Sequence, residues 1–236
     1  MDRKKFIRNG ILGIASLATA SKLLESCSKS DNDETNSGNS GDGSCTVSPS
    51  ETKGPFPIKT PSQLVLENIK SDRVGVALLI NLKIENQKNN CEPLSGVLVD
   101  VWHCDKDGNY SEYGGTSMQQ TDYTSVHFLR GRQTSDTNGN VSFISIYPGW
   151  YQGRAPHVHV EVLSSTGSSL LVTQIAFPEN VSSQVYSSSN YAAHGQADTA
   201  NTKDNVFADS LSNDLATITG NLTDGYTLTK TITVNA

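Results

Sequence analysis

Helical periodicity is nearly absent from this sequence; only Asn180–Tyr186 and Ala208–Leu215 carry a turn or two of it. That excludes a helical architecture and leaves a chain built almost entirely of strands. Internal repeats of roughly 20–50 residues are missing too, which excludes solenoids and propellers. There is no basic stripe. The first 26 residues hold five Lys/Arg against two acids, net +3, and the remainder holds 13 basic and 22 acidic residues, net −9. An acidic body of this kind argues against nucleic acid and against a broad anionic membrane surface. Cysteine is scarce, with four in 236 residues, a length that buries one good core and gives no sign of two.

What is present reads as short strands between turn signals. Val74–Ile84 alternates in its second half, and Gln87-Lys88-Asn89-Asn90 supplies a turn. Val97–Trp102 is a second strand. Asp136–Asn140 turns the chain into Val141–Ile144, with Val141, Phe143 and Ser145 on one face. His157–Leu163 and Leu170–Phe177 are strands joined by Ser164–Ser168, and Leu228–Val234 places Leu228, Ile232 and Val234 on one face. The pattern predicts an all-β chain, an antiparallel β-sandwich with long loops and little helix, over residues 45–236.

Residues 1–26 read as an export signal. Arg3, Lys4, Lys5 and Arg8 precede an apolar run, Ile11–Ala20, too brief for a permanent transmembrane helix. Leu24-Glu25-Ser26-Cys27 resembles a bacterial lipobox, which implies lipidation of Cys27; the other reading is a plain secreted or periplasmic chain. Residues 27–44 are rich in Ser, Asn, Asp and Gly without a large apolar side chain, and read as a disordered polar tether. Membrane association is thus expected only through an N-terminal lipid anchor. With Cys27 aside, three cysteines remain, so one stays free. Cys91 and Cys104 flank the strand Gly96–His103, whose extended length of roughly 25 Å exceeds disulfide reach. The expected bridge is Cys45–Cys91, with Cys104 a buried thiol.

The chemistry concentrates in two runs. Tyr110 closes Val99–Tyr110; Tyr151, His157 and His159 follow in Tyr147–His159. His157 and His159 are two apart, so a strand points both rings to one face. Two imidazoles there can grip one metal, and phenolates suit a hard ferric ion better than zinc. The competing reading is a half-buried strand pattern beside tyrosines that merely pack. Local spacing leaves both open.

The neighbouring segments decide between them. Glu51–Phe56, Trp102-His103-Cys104 with Gly108-Asn109-Tyr110, Phe128–Gly131, Tyr147–Tyr151, Arg154–His159 and Thr173-Gln174-Ile175 occur in one order. In that order they resemble the intradiol ring-cleavage dioxygenases, non-haem iron(III) enzymes that open catechols between the two hydroxyls. The likeness is to their secreted, single-domain branch. It implies Fe(3+) held by Tyr110, Tyr151, His157 and His159, with Tyr151 the ligand that leaves. It implies that Arg154 stabilises charge developing on the ring, and that Gln174 fixes Arg154 or substrate. Gly54, Pro55 and Phe56 would line the substrate mouth, and Trp150 would wall the pocket or pack. Arg130 matches a family position without an assigned mechanism. His103, His127 and His194 are expected outside the centre.

The resemblance implies a catecholic or polyphenolic substrate, O2 as co-substrate and a muconate-type diacid as product. Only five residues, Gln152–Pro156, separate Tyr151 from His157, and so short a loop predicts a centre open to solvent. The helical N-terminal segment through which cytosolic relatives dimerise has no counterpart here, which leaves the oligomeric state open. The alternative function is a non-catalytic surface β-sandwich lipoprotein that binds carbohydrate, protein or catechol ligands, since a fold alone does not fix an activity.

Overall fold

A computed structural model describes residues 45–236. The expected export signal, the lipidation at Cys27 and the tether of residues 27–44 lie outside the described residues. Nine strands follow in order: β1 (Ala77–Asn86), β2 (Glu92–Pro93), β3 (Leu98–Trp102), β4 (Arg130–Thr134), β5 (Asn140–Ile146), β6 (His157–Leu163), β7 (Ser169–Ala176), β8 (Thr217–Asn221) and β9 (Gly225–Val234). Two short helices, α1 (Glu179–Tyr186) and α2 (Leu211–Asp214), interrupt the second half. Among the described residues no helix is long and apolar enough to cross a membrane.

The strands form two sheets. One runs β2-β1-β9-β8, with β5 antiparallel to β1; the other runs β4-β3-β6-β7. All pairings are antiparallel but one. β9 lies parallel to β1 from Leu78↔Tyr226 to Asn86↔Val234, which the long intervening chain permits. The core lies between the sheets, where period-2 alternation aims every second side chain. Leu78, Ile80, Leu82 and Ile84 of β1 meet Val99 and Val101 of β3 and Val158, Val160 and Val162 of β6 in one buried cluster. Each such side chain contributes roughly 1.5–3 kcal/mol of burial.

Besides the two-residue β2, two strands carry no alternating apolar signal and were not anticipated. β4, Arg-Gly-Arg-Gln-Thr, and β8, Thr-Ile-Thr-Gly-Asn, are the polar edge strands of their sheets. Charged and polar residues there discourage edge-to-edge pairing but hide a strand from periodicity. Cys45 and Cys91 are bridged, with Cα atoms 5.8 Å apart, and Cys104 is a free buried thiol. The bridge fastens the start of the domain to the β1–β2 turn, and closing a loop of this length contributes about 4 kcal/mol.

β6 sets up everything that follows. It is buried along its whole length, valines facing the core and His157, His159 and Glu161 facing outward. The outward face of a sandwich strand is ordinarily wet. Here it is covered, because the segment around residues 51–60, the loop after β3 and the loop before β6 fold over it.

Candidate metal centre

His159 stands in a row that crosses its sheet. Trp102 of β3 is its neighbour on one side and Gln174 of β7 on the other, and Arg130 of β4 extends the row beyond Trp102. The Trp102 indole lies flat against the His159 ring, centroids 4.8 Å apart and planes 1° from parallel. Gly54 covers the imidazole from the solvent side. Its φ is +67°, and a Cβ there would come within 2.9 Å of His159 Cε1. Only glycine takes that conformation and that approach without strain. His157, two residues earlier on the same face, donates from Nδ1 to the Ala155 carbonyl at 2.6 Å. This fixes the neutral tautomer with a lone pair on Nε2.

Tyr110 enters from the loop after β3. Asp105 Oδ1 accepts from the amides of Asp107 and Asn109, and the Tyr110 amide donates to Gln119 Oε1 at 2.6 Å. The backbone is thereby pinned and the ring is fully buried. Tyr110 Oη comes to 3.4 Å from His157 Nε2, and the two Nε2 atoms are 3.1 Å apart. Tyr151 closes the group, its ring 5.6 Å from that of His157 and 5.8 Å from that of Tyr110. Arg154 donates from Nη1 to Tyr151 Oη at 3.2 Å, from Nη2 to Gln174 Oε1 at 2.6 Å and from Nε to Asp204 Oδ2 at 2.8 Å.

Burial dominates the electrostatics. It pushes His157 down to about 3, and it holds His159 well below the ordinary imidazole value, with His157 adding to the effect. Both rings are therefore neutral donors. Burial raises Tyr110 far above an ordinary phenol. It raises Tyr151 as well, against the pull of Arg154. Burial also opposes the charge on Arg154, but Tyr151 and Asp204 outweigh it and hold the guanidinium above its usual value.

Among the described residues no three His, Cys, Asp or Glu side chains form a metal-holding group. A metal bound here must take phenolate donors, which narrows its chemistry. Two neutral imidazoles and two phenols that ionise only against a strong Lewis acid are a hard-cation donor set, and a ferric ion fits it. His157 has the second hydrogen bond that orients a ligating imidazole. His159 lacks one, since its Nδ1 is buried without a partner; stacking on Trp102 and the cover of Gly54 hold that ring instead.

Phe56 stacks on Tyr110 at 4.7 Å and meets Tyr151 edge-on at 6.1 Å, so it roofs the rings. Pro55 is exposed beside it. Trp150 turns to another partner. Its indole packs on His194 and donates to the Gly195 carbonyl. The open centre expected from the short loop is not what forms. Tyr110, His157 and His159 are at most 2 % exposed, and only Tyr151 is partly accessible. The cover comes from Phe56 and Gly54, far upstream, and not from the loop whose length prompted the expectation. His103 turns into the core, bonded to the Cys104 carbonyl and Ser145 Oγ. His127 pairs with Glu112.

Arg130 now has a place. Its guanidinium donates to Ser111 Oγ, to the Ser111 carbonyl and to the Phe56 carbonyl, so it ties the roof to the Tyr110 loop. Glu112, at the strained φ of +66°, accepts from the Lys59 amide, Thr60 Oγ1 and His127 and fastens the same two segments. Neither Glu112 nor Asp204 carried a sequence signal; each lies in an unpatterned polar loop.

The family model described as Dioxygenase matches residues 56–206, which include all four rings and the sheet that carries the two histidines. The intradiol ring-cleavage dioxygenase from Tetranychus urticae is 29% identical, with a TM-score of 0.72 over 81% of this chain and 95% of that one. Chlorocatechol 1,2-dioxygenase from Rhodococcus opacus is 29% identical over 104 residues, 36% of this chain and 38% of that protein. A 3-chlorocatechol 1,2-dioxygenase structure from the same organism shares the fold at 20% identity, with a TM-score of 0.53 over 80% of this chain and 72% of that one. The chain belongs to the intradiol ring-cleavage dioxygenase family.

Proposed function

We propose that the chain is an exported, Fe(III)-dependent intradiol dioxygenase. It would cleave a catecholic ring between its two hydroxyl-bearing carbons and yield a muconate-type diacid. The supporting observation is the convergence of four side chains from three separate segments on one buried point. His157 Nε2, His159 Nε2 and Tyr110 Oη lie within 3.4 Å of a neighbour, with Tyr151 completing the group. Such a cluster of polar rings is costly to bury without an occupant.

Both atoms of O2 enter the product. The carbon–carbon bond between the hydroxyl-bearing carbons breaks, the ring supplies four electrons and no external reductant is consumed. Tyr110, Tyr151, His157 and His159 would hold a ferric ion, which would supply Lewis acidity toward a catecholate and electron affinity toward its ring. The protein does the rest. His157 and His159 stay neutral donors because burial forbids their protonation. Tyr110, sealed under Phe56, is a fixed ligand. Tyr151 is the accessible one, and its Oη is the atom placed to take a hydroxyl proton from an incoming catechol. Arg154 keeps a permanent cation at that oxygen and beside the place where negative charge develops on the ring. Phe56 and Gly54 exclude water from the inner side. In this reading residues 1–26 act as an export signal and lipidation of Cys27 would anchor the domain outside the cytoplasm.

Oxygen uptake by the iron-loaded protein against catechol, protocatechuate, hydroxyquinol and plant polyphenols tests the proposal. Consumption of one O2 per ring with appearance of a muconate-type absorbance is expected. Tight catechol binding without O2 uptake would favour a binding lipoprotein instead.

A further inference from the structure

The Arg154 guanidinium is a planar fork, so two anchored nitrogens determine where the third points. Nη2 is fixed by Gln174 Oε1 at 2.6 Å, and Gln174 is itself held by its Nε2 on the Thr52 carbonyl at 2.8 Å. Nε is fixed by Asp204 Oδ2 at 2.8 Å, across fifty residues of sequence. The remaining contact, Nη1 to Tyr151 Oη at 3.2 Å, is the longest of the three and follows from the other two.

Asp204 is fully buried, and its hydrogen bonds come from three donors. Oδ2 also accepts the Ala155 amide at 2.7 Å, and Oδ1 accepts the Val206 amide at 2.8 Å. The Ala155 carbonyl in turn receives His157 Nδ1. One carboxylate therefore holds both the guanidinium and the backbone that orients an imidazole. It also balances the positive charge of Arg154 beside Tyr151, and without a buried counter-charge that cation has no stable place.

We propose that Asp204 is a positioning residue of the ring-cleavage site, acting through Arg154 to aim a fixed cation at Tyr151 Oη. What the cation acts on rests on the function proposed above; the aiming itself does not. Asp204→Asn keeps the shape but turns one accepting oxygen into a donor and removes the charge. In the metal-free full chain, the 15N NMR signal of Arg154 Nε–H is identified by its absence from Arg154→Lys. It should exchange with solvent at least about tenfold faster in Asp204→Asn, as expected of a hydrogen-bonded donor released from its partner. In the iron-loaded protein, Asp204→Asn should lower kcat/KM by about 10–100-fold. The same substitution made in Arg154→Ala should change it less than about threefold, because the residue through which it acts is already gone.

An unaltered Arg154 Nε–H signal in a folded Asp204→Asn protein overturns the proposal. So does an equal loss of activity in both backgrounds, which is the signature of a merely structural carboxylate. Should no variant and no wild-type protein cleave any catechol while the Nε–H signal still moves, the function fails and the positioning stands.

Discussion

Two buried arginines flank the same four rings, and they are held in opposite ways. The hydrogen bonds of the Arg130 guanidinium end on neutral groups, the Phe56 carbonyl and Ser111, and its ion pair with Glu112 is a long one at 3.6 Å. Burial lowers its pKa to about 10. Arg154 divides its donors among a carboxylate, a side-chain amide and the phenol of Tyr151, and its charge is reinforced rather than weakened. Arg130 is a clamp that joins the roof to the Tyr110 loop. Arg154 presents an N–H to Tyr151, the group that reacts in the proposed function. Burial and charge are shared by the two; where the N–H groups end separates a structural arginine from a functional one.

That contrast breaks if the two arginines behave alike on mutation. Arg154→Lys keeps the charge but loses the fork. Turnover of the iron-loaded enzyme should fall by about 10²–10³-fold, while iron content holds; near-normal kcat would place Arg154 with Arg130. Arg130→Ala strands two buried carbonyls and leaves the Ser111 hydroxyl with its bond to the Phe128 carbonyl alone. It should lower unfolding free energy by about 3 kcal/mol in urea, with kcat of the folded fraction changed by less than tenfold. A catalytic loss as deep as that of Arg154→Lys would erase the distinction.

Gly54→Ala sharpens the comparison on the roof itself. It should cost about 1–2 kcal/mol for the left-handed φ and displace the His159 ring, seen as weaker iron retention on dialysis. The smallest effect belongs to His103, which is bonded inside the core to the Cys104 carbonyl and Ser145 Oγ. Burial holds its folded pKa at about 4, below the unfolded value. The unfolded chain therefore binds the extra proton first. The His103 contribution is complete above about pH 6.5 and declines as pH falls toward 4. Between pH 7 and 5.5 the wild type should lose about 1 kcal/mol more stability than His103→Asn, measured on metal-free protein.

How much of this was legible depended on which residues carried periodic signals. The six strands read from alternation correspond to β1, β3, β5, β6, β7 and β9, because their apolar residues face a core. β4 and β8 were hidden by their polarity. The four rings, Arg154 and Gln174, marked in the sequence by compact, ordered motifs, come together in space, and the two-residue spacing on β6 puts His157 and His159 on one face. Asp204 and Glu112 were not readable. Each acts through contacts made across many residues of sequence, on loops whose composition looks like ordinary solvated chain. The expectation of an open centre failed for a related reason: loop length near the ligands says nothing about a roof supplied by residues 54–56.

The central claim is that Tyr110, Tyr151, His157 and His159 form one ferric centre, and titrating the metal-free protein with Fe(III) while recording its visible spectrum tests it directly. Saturation at one equivalent is expected, with a broad tyrosinate-to-iron charge-transfer band that is reduced in Tyr151→Phe and in Tyr110→Phe. A protein that stays colourless, or one whose band is indifferent to both tyrosines, would contradict it.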